Sequence, residues 1–198
     1  MQAMNRIIAT NWSVSTPHWT LASSPFAKGL GLTLVEHGGS LVAFSVYRLL
    51  EVEGRLALYR SGTEVLPEHQ GRGLYAFFTH EALAAAAQGR SNHKIFYGWR
   101  TRNPIVWAAN AKICTAVTPT LLDATAGEDL REAATAMCAA IYPGRSLEIP
   151  DMIMRGAYGH ITHRPQSYVG MSALVHMAML RLIPDPADAL FSVGTVNL

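Results

Sequence analysis

A β-type run from Leu56 to Val65 gives way to a helix-type run from Leu74 to Gln88, and the junction reads Val65-Leu66-Pro67-Glu68-His69-Gln70-Gly71-Arg72-Gly73-Leu74-Tyr75. Two glycines with a basic residue between them stand where strand turns into helix. Glycine adopts positive φ readily and lets a ligand approach the backbone. The first amides of a helix have no intrahelical acceptor. Together these features form a cradle for a phosphate or pyrophosphate, and Arg72 adds a counter-charge. Two familiar cradles are excluded. The dinucleotide fingerprint needs a third glycine, but Gly73 is followed by Leu74, Tyr75 and Ala76, and the Gly-Lys-Ser/Thr ending of a Walker A loop is absent. For a bare pair of glycines, an ordinary strand–turn–helix junction is the commoner explanation, so the weight falls on the wider string.

The string V-x-P-x-x-Q-G-R-G-L, Val65 to Leu74, resembles motif A of the GCN5-related N-acetyltransferase superfamily. Gln70, Gly71, Arg72, Gly73 and Leu74 match as they stand. Tyr75 departs, because Gly or Ala is usual there. A looser resemblance to motif B follows at Asn103-Pro104-Ile105-Val106-Trp107-Ala108-Ala109-Asn110-Ala111-Lys112. In many members a Tyr seven residues after that Asn protonates the departing thiolate. Here the position is Asn110, and the usual Gly-Phe ending is replaced by Ile113-Cys114. The resemblance spans about residues 30 to 118.

The resemblance implies an α/β fold, a GNAT-like mixed twisted sheet with helices on both faces, here with a C-terminal extension. It implies acetyl-CoA, or another acyl-CoA, as co-substrate, and an acyltransferase that acetylates an amine of a small molecule. Backbone groups of Thr63, Val65 and Leu66 are then expected to meet the pantetheine arm and the acyl carbonyl. Amides of Gln70, Gly71, Arg72, Gly73, Leu74 and Tyr75 are expected to take the pyrophosphate, and Asn103 a pantetheine amide. Two rival readings stand beside this one. The first is an acyltransferase that uses a longer acyl-CoA, a carrier-protein thioester or an oxygen acceptor. The second is a coenzyme A-binding module without catalysis, to which Asn110 lends weight.

Acyl transfer to an amine needs a proton acceptor. Glu64 is the first candidate catalytic residue, since burial in a strand raises a carboxylate pKa towards neutral; pairing with a nearby Arg is an equal alternative. Tyr59 is the second candidate, six residues before Val65, where some members of the superfamily carry a catalytic Glu. A core tyrosine is its plainer reading, and Tyr97 is similar. His69 reads as a solvent-facing residue within motif A. Asn110 carries no titrating proton, so its loss is expected to be mild.

Strands are expected at Leu30–Glu36, Ser40–Val52, Arg55–Val65, Lys94–Trp99, Thr115–Leu122 and near Phe191–Val196. Helices are expected from Leu74 to a cap at Gly89, from Asn103 with Pro104 at its first position, across Leu130 to Ile141, and near Ser172–Leu182. Residues 1–144 read as the acetyltransferase-like core. Residues 145–198, too few for an independent core, read as integral to the same domain, lining the substrate pocket or forming a dimer interface.

Of 198 residues, 49% are hydrophobic and 15% charged, against a usual charged share of about 25%. That balance suggests apolar surface covered by a second subunit, a homodimer. A net charge of +2 without basic runs does not point to nucleic acid. Cys114 and Cys138 lack the spacing of a zinc site or a disulfide framework and suit buried thiols in a reducing compartment, so a cytoplasmic location is expected. Met1 to Trp12 lacks the apolar core of a signal peptide, and Gly170 to Ile183 is short and interrupted by His176 and Arg181, unlike a membrane span. His160 and His163 are three apart, but no third ligand is fixed by spacing, so no metal is expected. Asp151, Arg155 and Arg164 fit a polar substrate or ordinary salt bridges equally well.

Overall fold

A computed structural model describes the chain apart from residues 13, 15–16, 89–92, 122–127, 160 and 162–167. Strands β1 (Leu30–His37), β2 (Ser40–Val52) and β3 (Arg55–Val65) form an antiparallel meander. Helix α2 (Leu74–Ala87) then crosses over to β4 (Lys94–Thr101), which pairs with β3 in parallel. Helix α3 (Pro104–Ala111) leads to the short β5 (Ala116–Thr118), and α4 (Glu128–Ile141) follows. The chain ends with β6 (Ile153–Met154), α5 (Met171–Leu182) and β7 (Ala189–Asn197). The sheet order is β1-β2-β3-β4-β7-β5, with β6 also on β7. Every pairing except β3–β4 is antiparallel.

Helices cover both faces of this mixed sheet. Helix α4 packs Leu130, Ala134 and Met137 against Tyr59, Phe96 and Phe191. The amino-terminal helix α1 (Gln2–Asn11) lies on the same face, over Phe44 and Val46. Alternation along β2 puts Phe44, Val46 and Arg48 on one side, and Arg48 stands opposite Tyr59. Helices α2, α3 and α5 cover the other face, where Leu58, Tyr97, Trp99 and Leu190 meet Ala82, Trp107, Val175 and Met179.

Helix α1 buries Met4, Ile7, Ile8 and Asn11, one helical stripe. Three apolar anchors among polar neighbours left it indistinct in sequence. The strand expected at Thr115–Leu122 is only Ala116–Thr118, because Pro119 has no amide to continue the ladder; Leu122 lies outside the described residues, as does the expected cap at Gly89. Strand β7 is longer than expected and lies between β4 and β5. Arg155 ties the approach to β6 to the start of β7 through Glu148 (2.6 Å) and Asp188 (2.5 Å), so it follows the salt-bridge reading. Helix α5 buries Val175 and Met179 and leaves Met171, Leu174 and Met177 exposed. Among the described residues no helix is long and apolar enough to cross a membrane.

Beside β5, a Cβ on Gly194 would stand 2.5 Å from Cys114 Sγ and 2.7 Å from the Ala116 carbonyl oxygen. The carbonyl is backbone and cannot turn away. Gly194→Ala should therefore destabilise the fold by about 2–3 kcal/mol, the scale of overpacking, and lower the melting temperature by roughly 5–10 °C. Gly62→Ala, where nothing lies within 4 Å, is the control. Equal melting temperatures for the two variants would contradict this packing.

Candidate active site

The parallel pairing of β3 and β4 runs from Ala57–Phe96 to Arg60–Trp99 and stops. Beyond it, β3 continues to Val65 along β2 alone. The β2–β3 register shifts at this point: Val46 faces Gly62 but Tyr47 faces Arg60, so Ser61 is an extra residue. Such a bulge bends its strand and strengthens the twist. Here it accompanies the separation of β3 from β4. A cavity of about 910 Å³ occupies the gap and reaches both faces of the sheet.

One wall is the glycine loop. Gly71 and Gly73 have φ of 73° and 79°, and Gly73 is the N-cap of α2 without a side-chain cap. The backbone amides from Gly71 to Ala76 find no acceptor among the described residues; the first amide of this region inside the ladder is that of Phe77, donating to Gly73. These unfilled donors and the helix dipole suit an anion. Gly71, Gly73, Leu74 and Tyr75 line the cavity, but the Arg72 side chain donates to the Glu68 carbonyl and does not.

The strand edge is partly used by the protein itself. The Leu66 amide donates to Val42 on β2. In an antiparallel pair one residue points both backbone groups to the same side, so Val65 and Thr63 turn theirs into the gap. The expectation that Leu66 serves the gap is thereby corrected. The Val65 carbonyl accepts from Asn11 Nδ2 (3.1 Å) and Gln70 Nε2 (3.0 Å), so Gln70 fastens the loop to β3. Asn103 lines the cavity, with its Oδ1 capping α3 through the Ile105 amide (2.9 Å).

Glu64 lines the cavity on the α1 face. Its oxygens accept from Asn11 Nδ2 (2.7 Å) and Trp12 Nε1 (2.8 Å). Burial raises its pKa to about 7, and these two hydrogen bonds hold it from rising further. It makes no ion pair with an Arg among the described residues. Tyr59 stands elsewhere. It is 1% exposed, stacks on Phe191, shares a hydrogen bond with the Tyr142 hydroxyl (2.7 Å) and does not line the cavity. Its candidacy as a catalytic residue gives way to the core reading.

Arg60, Arg100 and the partner of Asn110 were not singled out in the sequence. Arg60 is 5% exposed. It donates to Thr79 Oγ1 (2.7 Å), Tyr97 hydroxyl (3.2 Å), Ser45 Oγ (3.3 Å) and Thr63 Oγ1, and its Nε has no partner among the described residues. Each arginine closes an apolar strand run, Leu56 to Tyr59 and Ile95 to Trp99. A charge in that position, in a chain so poor in charge, was the available signal.

Among the described residues no group of three His, Cys, Asp or Glu side chains is placed to hold a metal. His160, His163 and Arg164 lie outside the described residues.

No protein-family profile and no curated protein matches the sequence. Solved structures do. The whole chain aligns with 88% of the ribosomal-protein-S18-alanine N-acetyltransferase from Escherichia coli, at a TM-score of 0.50 and 13% identity. An IAA acetyltransferase from Bacillus cereus aligns over 86% of this chain and 79% of its own, at a TM-score of 0.37 and 13% identity. A GNAT-like decarboxylase in complex with isobutyryl-CoA aligns over 98% and 93%, at 0.42 and 12%. The last two likenesses are too loose to argue from. The chain therefore has a GNAT-like fold, a mixed sheet with helices on both faces, shared with the Escherichia coli enzyme.

Asn110 is fully buried, and its Oδ1 accepts from both Tyr75 (3.0 Å) and Tyr97 (2.9 Å) hydroxyls. Asn110→Ala leaves two phenols without their acceptor and should cost about 2–4 kcal/mol of stability. A melting temperature within 2 °C of the parent, roughly the shift for less than 1 kcal/mol at this size, would contradict the assignment.

Proposed function

We propose that this protein transfers an acyl group, acetyl in the simplest case, from coenzyme A to an amine of a small molecule. One observation carries the reading. A single cavity joins the glycine loop at Gly71, Gly73, Leu74 and Tyr75, the edge of β3 beyond β4 and the carboxyl of Glu64. Each part answers one need of the reaction. The loop amides bind the pyrophosphate. The Val65 amide, turned into the gap, polarises the acyl carbonyl where negative charge develops. Glu64 takes the proton from the amine, so that nitrogen can attack.

Coenzyme A supplies the activated thioester. The new bond is C–N and the broken bond is C–S. The proton removed from nitrogen passes to Glu64 and on to solvent or to the departing sulfur. A thiol with pKa about 8.5 leaves readily as thiolate, which removes the need for a tyrosine at the position of Asn110. Water relays the proton where Glu64 does not touch the amine directly.

Two measurements test this reading. Gly73 has positive φ, a conformation that Asn and Asp tolerate better than most residues. Gly73→Asn and Gly73→Asp share shape and differ in charge. The aspartate should weaken acetyl-CoA binding at least about tenfold more than the asparagine, about 1.4 kcal/mol, measured by calorimetry. Equal affinities would remove the pyrophosphate from this loop. The second measurement is free thiol release from acetyl-CoA with a panel of amines across pH. Glu64 is protonated below about pH 7 and ionised above it. The rate should therefore rise with pH through about 7, and Glu64→Gln should lose that limb and about 10²–10⁴ in rate. Coenzyme binding without thiol release from any amine would make the protein a coenzyme-binding module.

A further inference from the structure

On the sheet face that carries Glu64, the cavity has a second charged group. Arg100 follows Trp99, the last residue of β4 paired with β3. Its guanidinium lies over the rings of Tyr142 (4.8 Å to the centroid) and Tyr158 (5.0 Å). Among the described residues no carboxylate pairs with it; the carboxylates in ion pairs belong to Asp129, Glu81, Glu148 and Asp188, with other cations. Aromatic faces stabilise a guanidinium through its plane. They leave its edge, where the N–H donors project, for something else. A planar fork of donors matches a carboxylate.

The charge is not placed for the phosphates of the donor. The unfilled amides of Gly71 to Ala76 open α2, on the other face of the sheet. Arg100 acts instead on the α1 face, where burial and then Arg100 lower the pKa of His18, and where Arg100 counters the burial that raises Tyr158. Tyr158 also stacks on Trp12 (5.5 Å), and Trp12 Nε1 donates to Glu64. A guanidinium and a carboxyl group thus stand at opposite ends of a wall made of two stacked rings. Arg100, Tyr158, Trp12 and Glu64 all line the cavity.

We propose that the acceptor is an amino acid whose free carboxylate docks on Arg100 while its amine faces Glu64. This rests on the acyl-transfer reading above. It narrows the acceptor from amines in general to amines that carry a carboxylate within a few bonds. A ligand with the opposite layout would place its amine against Arg100 and its carboxylate against Glu64, where both ends repel.

Matched pairs test it: phenylalanine with phenethylamine, leucine with isoamylamine, 4-aminobutyrate with propylamine. Thiol release from acetyl-CoA and calorimetric binding to the coenzyme A-loaded protein are measured for each. In at least one pair the carboxylate-bearing member should be preferred by about 30-fold, the scale of one charge-assisted pair. Arg100→Gln should bring that preference below about threefold, and Arg100→Lys should restore part of it. The amino acid methyl ester removes the charge without altering the protein and should behave like the decarboxylated amine, which keeps the test valid if Arg100→Gln does not fold. Equal handling of every pair, or a preference that survives in the methyl ester or in Arg100→Gln, overturns the proposal. Carboxylate-dependent binding without thiol release would leave the Arg100 site standing and remove acyl transfer. Acetylation of amines without preference would do the reverse.

Discussion

A buried guanidinium, with no carboxylate beside it among the described residues, holds the centre of this molecule together. Arg60 donates to Ser45 on β2, Thr63 on β3, Tyr97 on β4 and Thr79 on α2, and the ring of Tyr75 lies 5.0 Å from it. Taking such a charge out of water costs several kcal/mol. Hydrogen bonds to a charged group return roughly 1.5–3 kcal/mol each, so the full set of hydroxyls is needed to balance it. The consequence is geometric. Arg60 is the last residue of β3 paired with β4, and the bulge at Ser61 follows it. The network therefore clamps the sheet at the edge of the gap. The separation of the two strands is a built feature, fixed from four elements, rather than a frayed end.

That gap solves a problem of access. Helices cover both faces of the sheet, and a paired sheet would keep ligands on its two sides apart. Where β3 leaves β4, the cavity passes between them. In the proposed reaction the donor is held from the α2 face and the acceptor from the α1 face. The reacting atoms meet at the edge of β3, where Val65 and Glu64 point to different sides of the same strand. Adjacent residues on a strand present alternate directions, so one short segment serves both substrates. Holding two reactants at fixed positions is where much of the rate of such a reaction arises.

The parts of this arrangement that depend on local backbone were legible in the sequence. The meander from Leu30 to Val65, the positive-φ glycines before α2, and Asn103 with Pro104 opening α3 are each fixed by residues within a few positions of one another. Glu64 was legible as a buried carboxyl group because its strand reads as interior. What was not legible depends on distant partners. Nothing near Tyr59 in sequence announces Tyr142 and Phe191, which hold it in the core. Nothing near Val65 announces that Asn11, from the first helix, occupies its carbonyl. Strand β7 lies against β4 although almost ninety residues separate them, and its length follows from that partner rather than from its own apolar run. Arg60 and Arg100 were overlooked because an arginine inside a strand reads as a surface residue until burial and the missing counter-ion are known.

Two of the three departures from the motifs this chain resembles are one interaction. Motif A has Tyr75 where a small residue is usual, and motif B has Asn110 where a tyrosine is usual. In the structure the Tyr75 hydroxyl donates to Asn110 Oδ1. Against the pattern this chain resembles, a phenol stands on the first turn of α2 and an amide stands on α3 to receive it. The pairing directs the Tyr75 hydroxyl to α3 and lays its ring over Arg60. It also changes the chemistry available at the thioester. Burial holds the Tyr75 hydroxyl above its usual pKa, and its proton is engaged with Asn110, so it is poorly placed to protonate a leaving thiolate. Arg60 stands directly beneath that ring. Its positive charge lowers the energy of a nearby anion without giving up a proton. In the proposed reaction Arg60 therefore stabilises the leaving thiolate by field rather than by acid.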